Sequence, residues 1–326
     1  MAQNKTTPSF NTVKKSNRQA RSKRLRYSRI LLLSIFAVAA LLLLTCLILI
    51  VCSLADHFTS DRPGSNNGLD IEYVSITKQQ SAVQEGVLVN VNLQHEYTFP
   101  ASMENALVNI RQNRAKYNGA SYVYDVPYND WLLNKETLEA FNAMLLKHYE
   151  VENDIDIKIS SAYRTEKDQQ GLTSSNIPPK KSDHHTGLCV AILSSAGDSL
   201  PMNHWIFENC HKYGFVIRYP NEKSEITGVS GYEHCLRYVG VAHATYMAEN
   251  GLCLEEYTEL LKNSHKEGNA LQITGADGHK YAVYYTPVGD SDITTLRVPD
   301  NYKYTVSGDN IGGFIVTVHL DEPKNA

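Results

Sequence analysis

Three short stretches concentrate the residues able to do chemistry: "SSAYRTEKDQ" at 160–169, "SDHHTGLCVAI" at 182–192 and "ITGVSGYEHCLRYVG" at 226–240. In the second, His184, His185 and the turn residue Gly187 run into an apolar strand, the way a zinc site on a sheet edge often begins. No carboxylate follows within that strand. His184, His234 and Cys235 are all competent zinc ligands, and Cys189 and Ala191, two residues apart on a strand, share one face. A rebuilt His/Cys site would leave Glu233 beside it to take a proton from metal-bound water. The same residues also suit a different outcome, in which Cys189 and Cys235 pair as a disulfide or are buried as small hydrophobes. Both readings stay open at this level.

The elements that must position these groups follow from periodicity. Asn134 is placed to cap a helix over 135–149, with Leu138, Phe141, Leu145 and Tyr149 on one face. Ile155, Ile157 and Ile159 alternate in "IDIKISSAYRT", a strand that delivers Ser161 and Arg164 at its end. "GLCVAILSS" is the next strand. Asn203 or His204 opens a helix for which Gly214 is a natural C-terminal cap. After it come the apolar run "FVIRYP", the strand "LRYVG", and helical segments at 241–249 and 254–262 separated by Gly251. Helices alternating with short strands around a hairpin-like centre predict an α+β domain. "GVLVNVNLQHEYTFP" predicts a short strand leading into it before Pro100, and the domain is expected to span 86–264. From 265 to 326 alternating strands around "ADG" and "GDN" turns predict a small antiparallel β module.

Charge placement divides the rest. Residues 1–29 carry nine Lys or Arg and no Asp or Glu, a solvated basic tail. Residues 30–55 have no formal charge and are dominated by Leu, Ile, Val and Ala, a run longer than the roughly 20 residues that cross a bilayer. It is too long for the apolar core of a cleaved signal peptide. The expectation is a single transmembrane helix with the basic flank in the cytoplasm and everything beyond it outside the cell membrane. Residues 56–85 read as a polar spacer. The whole chain is at −4, so the part outside is acidic and a poor nucleic-acid binder. Outside the membrane run lie Cys189, Cys210, Cys235 and Cys253, an even number that an oxidising space allows to pair in three ways.

The three motif stretches, with "HKYGFVIRYP" between them, resemble the zinc D-alanyl-D-alanine carboxypeptidases of the vancomycin-resistance type, within the wider metallopeptidase group that includes lysostaphin. The resemblance covers roughly 86–261. It implies a central antiparallel sheet with flanking helices, a zinc cofactor, and removal of the terminal D-Ala from peptidoglycan stem peptides. The family pattern takes one His and one Asp from S-x-H-x-x-G-x-A-x-D, a second His from E-P-W-H, and the Glu of that motif as base. Ser182, His184 and Gly187 match the first motif, but the Asp position holds Ala191 and the family's Ala is Cys189. "YEHCLRYVG" is one residue short of the second. Aligned from its right-hand end, the ligand His becomes Cys235 and the base becomes Tyr232; aligned from its left, Glu233 keeps the base position without a His three residues on.

The resemblance further makes Arg164 the grip on the substrate's terminal carboxylate, with Gln169 at the matching spacing; a planar guanidinium suits that group. The expectation is therefore a family member acting on the D-Ala-D-Ala end of wall peptides with hydrolysis weak or lost. The alternative is a pseudopeptidase that binds or senses those peptides. His185, His204, His211 and His243 are expected on surfaces or helix faces, and Arg218 as a brace of the sheet.

Overall fold

The computed structural model describes residues 70–172 and 177–324. The basic tail and the expected span therefore lie outside the described residues, and among the latter no helix is long and apolar enough to cross a membrane.

Among the described residues, fourteen strands fall into five antiparallel groups. The first strand, β1 (Tyr73–Gln79), lies inside the stretch read as spacer, yet it pairs along its whole length with β12 (Ile293–Pro299). A pairing more than 200 residues apart in the chain leaves no local trace, which is why the polar composition of this stretch misled. Two small hairpin-like pairs follow, β2 (Leu107–Asn109) with β5 (Leu132–Asn134) and β3 (Lys116–Tyr117) with β4 (Ser121–Tyr122).

The central sheet has the order β6 (Lys158–Ser161), β7 (Cys189–Leu193), β9 (Cys235–Tyr238), β8 (Phe215–Ile217), antiparallel throughout. Its inner face packs on the helix Lys135–Glu152 through Phe141, Leu145, Ile159, Val190, Ile192 and Leu236, all fully buried. Asn134 caps that helix by accepting from the backbone N–H groups of Glu136 and Thr137, as its position predicts. The helix runs three residues beyond the expected end and stops at Asn153 in a left-handed conformation.

The expected strand before Pro100 does not form. Residues 88–91 are buried, but the carbonyls of Val87, Val89 and Val91 are taken by side chains: Arg237 Nη2 donates to Val87 and Val89, and Arg218 Nη2 to Val91. Both guanidiniums also clamp Asp183 and are essentially sealed from solvent, and Arg218 forms a two-pronged pair with Glu255 at 2.8 and 3.1 Å. Arg218 does brace the fold. Its partner Asp183 carries no signal in the sequence beyond its place beside His184.

The C-terminal sheet has the order β10 (Leu271–Thr274), β11 (Lys280–Pro287), β14 (Gly313–Pro323), β13 (Tyr302–Gly308). The "ADG" stretch joins β10 to β11 and "GDN" joins β13 to β14. His243, expected on a helix face, is instead a buried bridge to this sheet, with Nδ1 at 2.7 Å from Tyr257 Oη and Nε2 at 3.0 Å from Thr317 Oγ1.

Candidate functional site

Three strands present a row at one level of the central sheet: Ser161 on β6 faces Ala191 on β7, and Ala191 faces Cys235 on β9. His184 reaches the same place from the turn Asp183–Thr186. Gly187, at φ 71°, reverses the chain from that turn into β7, and a side chain there would run into Leu107. The row is where the family pattern would hold its metal, and its register supports the right-hand alignment, with Cys235 at the second His position and Tyr232 at the base.

The groups there are not arranged as a metal centre. Cys189 and Cys235 are joined by a disulfide, the bonded alternative left open by the sequence. Ala191 has no donor atom. His184 Nε2 lies 2.8 Å from Tyr232 Oη and 3.9 Å from Cys235 Sγ. Burial, then the nearby Arg164 charge, holds His184 well below its usual pKa, so the ring is neutral. Burial raises Tyr232 against the opposing pull of Arg164, so the phenol keeps its proton. Cys189, Ala191, Cys235 and Tyr219 form a small apolar cluster with Tyr232 packed on it. One zinc donor, His184 Nε2, remains, and these residues do not fit the family's zinc.

His234 does not supply a second donor. It lies in the turn before β9 and lines the neighbouring cavity, edge-on to Tyr232. Glu233, expected as base, is turned away: its carboxylate accepts from the backbone and side-chain N–H groups of Asn221 at 3.2 and 2.6 Å. Gln169 is buried and donates to the Ile177 carbonyl at 2.7 Å, and Ser182 is buried as well; neither lines the cavity.

Arg164 is differently placed. It lines a cavity of about 920 Å³ together with Trp131, Ser161, Asp168, Tyr232 and His234. Its Nε is buried without a hydrogen-bond partner. The backbone around it is held from both sides: Arg164 N donates to the His184 carbonyl at 3.2 Å, and the Arg164 carbonyl lies 2.7 Å from His185 Nδ1. Because His185 Nε2 accepts from the Lys180 N–H at 3.1 Å, the ring proton sits on Nδ1 and is donated to Arg164. His185, expected on a surface or helix face, is instead buried and holds the Arg164 backbone. The aromatic wall at Tyr128 and Trp131, whose rings lie 4.9 Å apart, had no sequence signal.

A family model described as VanY, D-alanyl-D-alanine carboxypeptidase, matches residues 130–241, the stretch that contains the central sheet and all of the cavity lining but Tyr128. A D-alanyl-D-alanine carboxypeptidase of Enterococcus faecium is 32% identical over 252 residues, covering 75% of this chain and 78% of the relative. The chain belongs to the D-alanyl-D-alanine carboxypeptidase family. A bifunctional D-Ala-D-Ala dipeptidase and carboxypeptidase, VanXYC of Enterococcus gallinarum, is 30% identical over 135 residues, 34% of this chain and 71% of the relative. The solved vancomycin-resistance D,D-dipeptidase VanXYg, in complex with a D-Ala-D-Ala phosphinate analogue, superposes with a TM-score of 0.62 at 25% identity, over 76% of this chain and 99% of that one.

Proposed function

We propose that the protein binds the D-Ala-D-Ala end of peptidoglycan stem peptides without hydrolysing it, as a pseudopeptidase held at the outer face of the cell membrane by residues 30–55. The carrying observation is that the two sulfurs at the metal level are bonded to each other and the remaining donor, His184 Nε2, is met by Tyr232 Oη at 2.8 Å. Without a metal to acidify it, a water in the cavity stays far from the neutral range. What supports retained recognition is Arg164, a guanidinium with an unused N–H beside a cavity large enough for a dipeptide end. The apolar run and its basic flank support the anchor.

A thiol-dependent zinc peptidase is the second reading. One observation favours it: His184 Nε2 and the Cys189 and Cys235 sulfurs lie within 4.8 Å of one another, so the reduced chain would present three donors. The full-length protein in detergent, titrated by calorimetry with a stem pentapeptide ending in D-Ala-D-Ala and with its L-Ala-L-Ala counterpart, tests both. The expected result is saturable binding of the first only, with no D-Ala released in the presence of zinc. Release of D-Ala by the oxidised protein overturns the proposal, and release only after reduction moves the assignment to the second reading.

A further inference from the structure

A second group of donors lies apart from the cavity, where the long helix ends. His148 is on the last full turn of Lys135–Glu152, and its side chain is 1% exposed. Neither of its ring nitrogens has a hydrogen-bond partner. A buried imidazole with both nitrogens unmet is costly, because the polar groups lose water and gain nothing in return. Such an orphan calls for a physical explanation, and a bound ion is one.

The surroundings say which. The left-handed turn at Asn153 brings Asp154 back beside the helix end. Asp154 Oδ1 accepts from the Asp156 N–H at 2.7 Å, and Oδ2 faces two imidazoles, 3.7 Å from His148 Nε2 and 3.9 Å from His204 Nε2. The rings of His148 and His204 are 5.0 Å apart. These separations are too long for hydrogen bonds. They are only slightly longer than the ~3.3 Å between donors on a tetrahedral metal with bonds of about 2.0–2.1 Å.

We propose that His148, Asp154 and His204 form a binding site for a divalent transition-metal ion, zinc by its donor set, which clips the end of the long helix to the start of the helix Trp205–Asn209. Two imidazoles and a carboxylate suit zinc and leave one position for water at the rim, where Asp154 is 35% exposed. None of the three residues lines the cavity at Arg164, so the ion acts on stability and not on the peptide site. Ligation has a local cost. His204 Nδ1 now accepts from the Ile206 N–H at 3.3 Å, and binding through Nε2 moves the ring proton to Nδ1 and breaks that cap.

The test uses the full-length, untagged protein in detergent, oxidised and stripped of metal, titrated with Zn²⁺ by calorimetry and with Co²⁺ by its visible absorption, alongside thermal unfolding. Wild type is expected to take up one ion with nitrogen and oxygen donors, without a cobalt–thiolate band, and to melt higher with zinc. His204→Ala and Asp154→Asn should each weaken binding by at least about tenfold, the size of effect that loss of even an outer partner produces. Both should lose the zinc-dependent rise in melting temperature. His184→Ala should keep both properties. Asp154→Asn, on the rim, guards against a variant that fails through misfolding, and its metal-free melting temperature should match wild type. No saturable uptake by wild type, uptake that survives both substitutions, or uptake lost with His184→Ala overturns the proposal.

Discussion

Tyr232 Oη lies 2.8 Å from His184 Nε2, which sets a neutral phenol against the nitrogen that a family zinc would engage. The phenol is also drawn to Arg164, so one hydroxyl serves two buried polar partners. Removing it by Tyr232→Phe leaves both less satisfied at almost unchanged volume. The expected cost is about 1–3 kcal/mol of folding stability, read from urea unfolding. A change of only a few tenths would mean that the hydroxyl does not hold the site closed.

The Cys189–Cys235 bridge spans a sequence separation of 46, and its two ends lie in the middle of the sheet. Closing a loop of that length restricts the unfolded chain by about 4 kcal/mol in the chain-entropy view. Peptide mapping without reduction should recover the linked pair, while Cys210 and Cys253 stay free. The double variant Cys189→Ala with Cys235→Ala should lose several kcal/mol in urea. Loss below about 1 kcal/mol would place the bridge among those that leave the unfolded state unconstrained.

How far the sequence could be read depends on whether each feature is local. The helix Lys135–Glu152 and its Asn134 cap follow from a 3.6-residue period and one side chain, and the C-terminal hairpins from alternation around their turns. The apolar segment at 87–91 alternates like a strand, but the carbonyls of Val87, Val89 and Val91 go to Arg237 and Arg218, more than 100 residues away, and no local pattern announces that. At the site, the right-hand alignment of "YEHCLRYVG" puts Cys235 at the second His position, and the register of β7 and β9 sets it opposite Ala191. The alignment could not choose between a thiolate ligand and a bridge, since both need the same two cysteines on one face. The Glu233 carboxylate meets Asn221 and the Gln169 amide meets the Ile177 carbonyl, contacts that no motif announces.

Arg164 offers a direct test of peptide recognition. A charge-assisted bond to a carboxylate contributes about 1.5–3 kcal/mol, so Arg164→Ala should weaken binding of a D-Ala-D-Ala peptide by roughly ten- to a hundredfold. Amidating the peptide's C-terminus should weaken the wild type to a similar degree, and the two changes together should add little more. Full additivity in that cycle would show that the guanidinium and the carboxylate do not meet.

His243 gives the fold a dependence on acid that originates away from the peptide site. Burial first, and His319 second, hold it down to about 3, against 6.5 for an exposed imidazole. Above 6.5 the ring is neutral in both folded and unfolded chains and adds nothing to the pH dependence. Below 6.5 the unfolded chain takes up a proton that the folded one refuses, so stability falls with pH until the folded ring titrates near 3. Each unit in that window costs about 1.4 kcal/mol, a few kcal/mol in total. The ring bridges Tyr257 to Thr317 on β14, so charging it would also strain the join between the helices and the C-terminal sheet. Replacing it by His243→Gln should lower stability at neutral pH yet flatten the loss between 6.5 and 3, as read from urea midpoints across that range. Parallel pH profiles for variant and wild type would assign the acid loss to other groups.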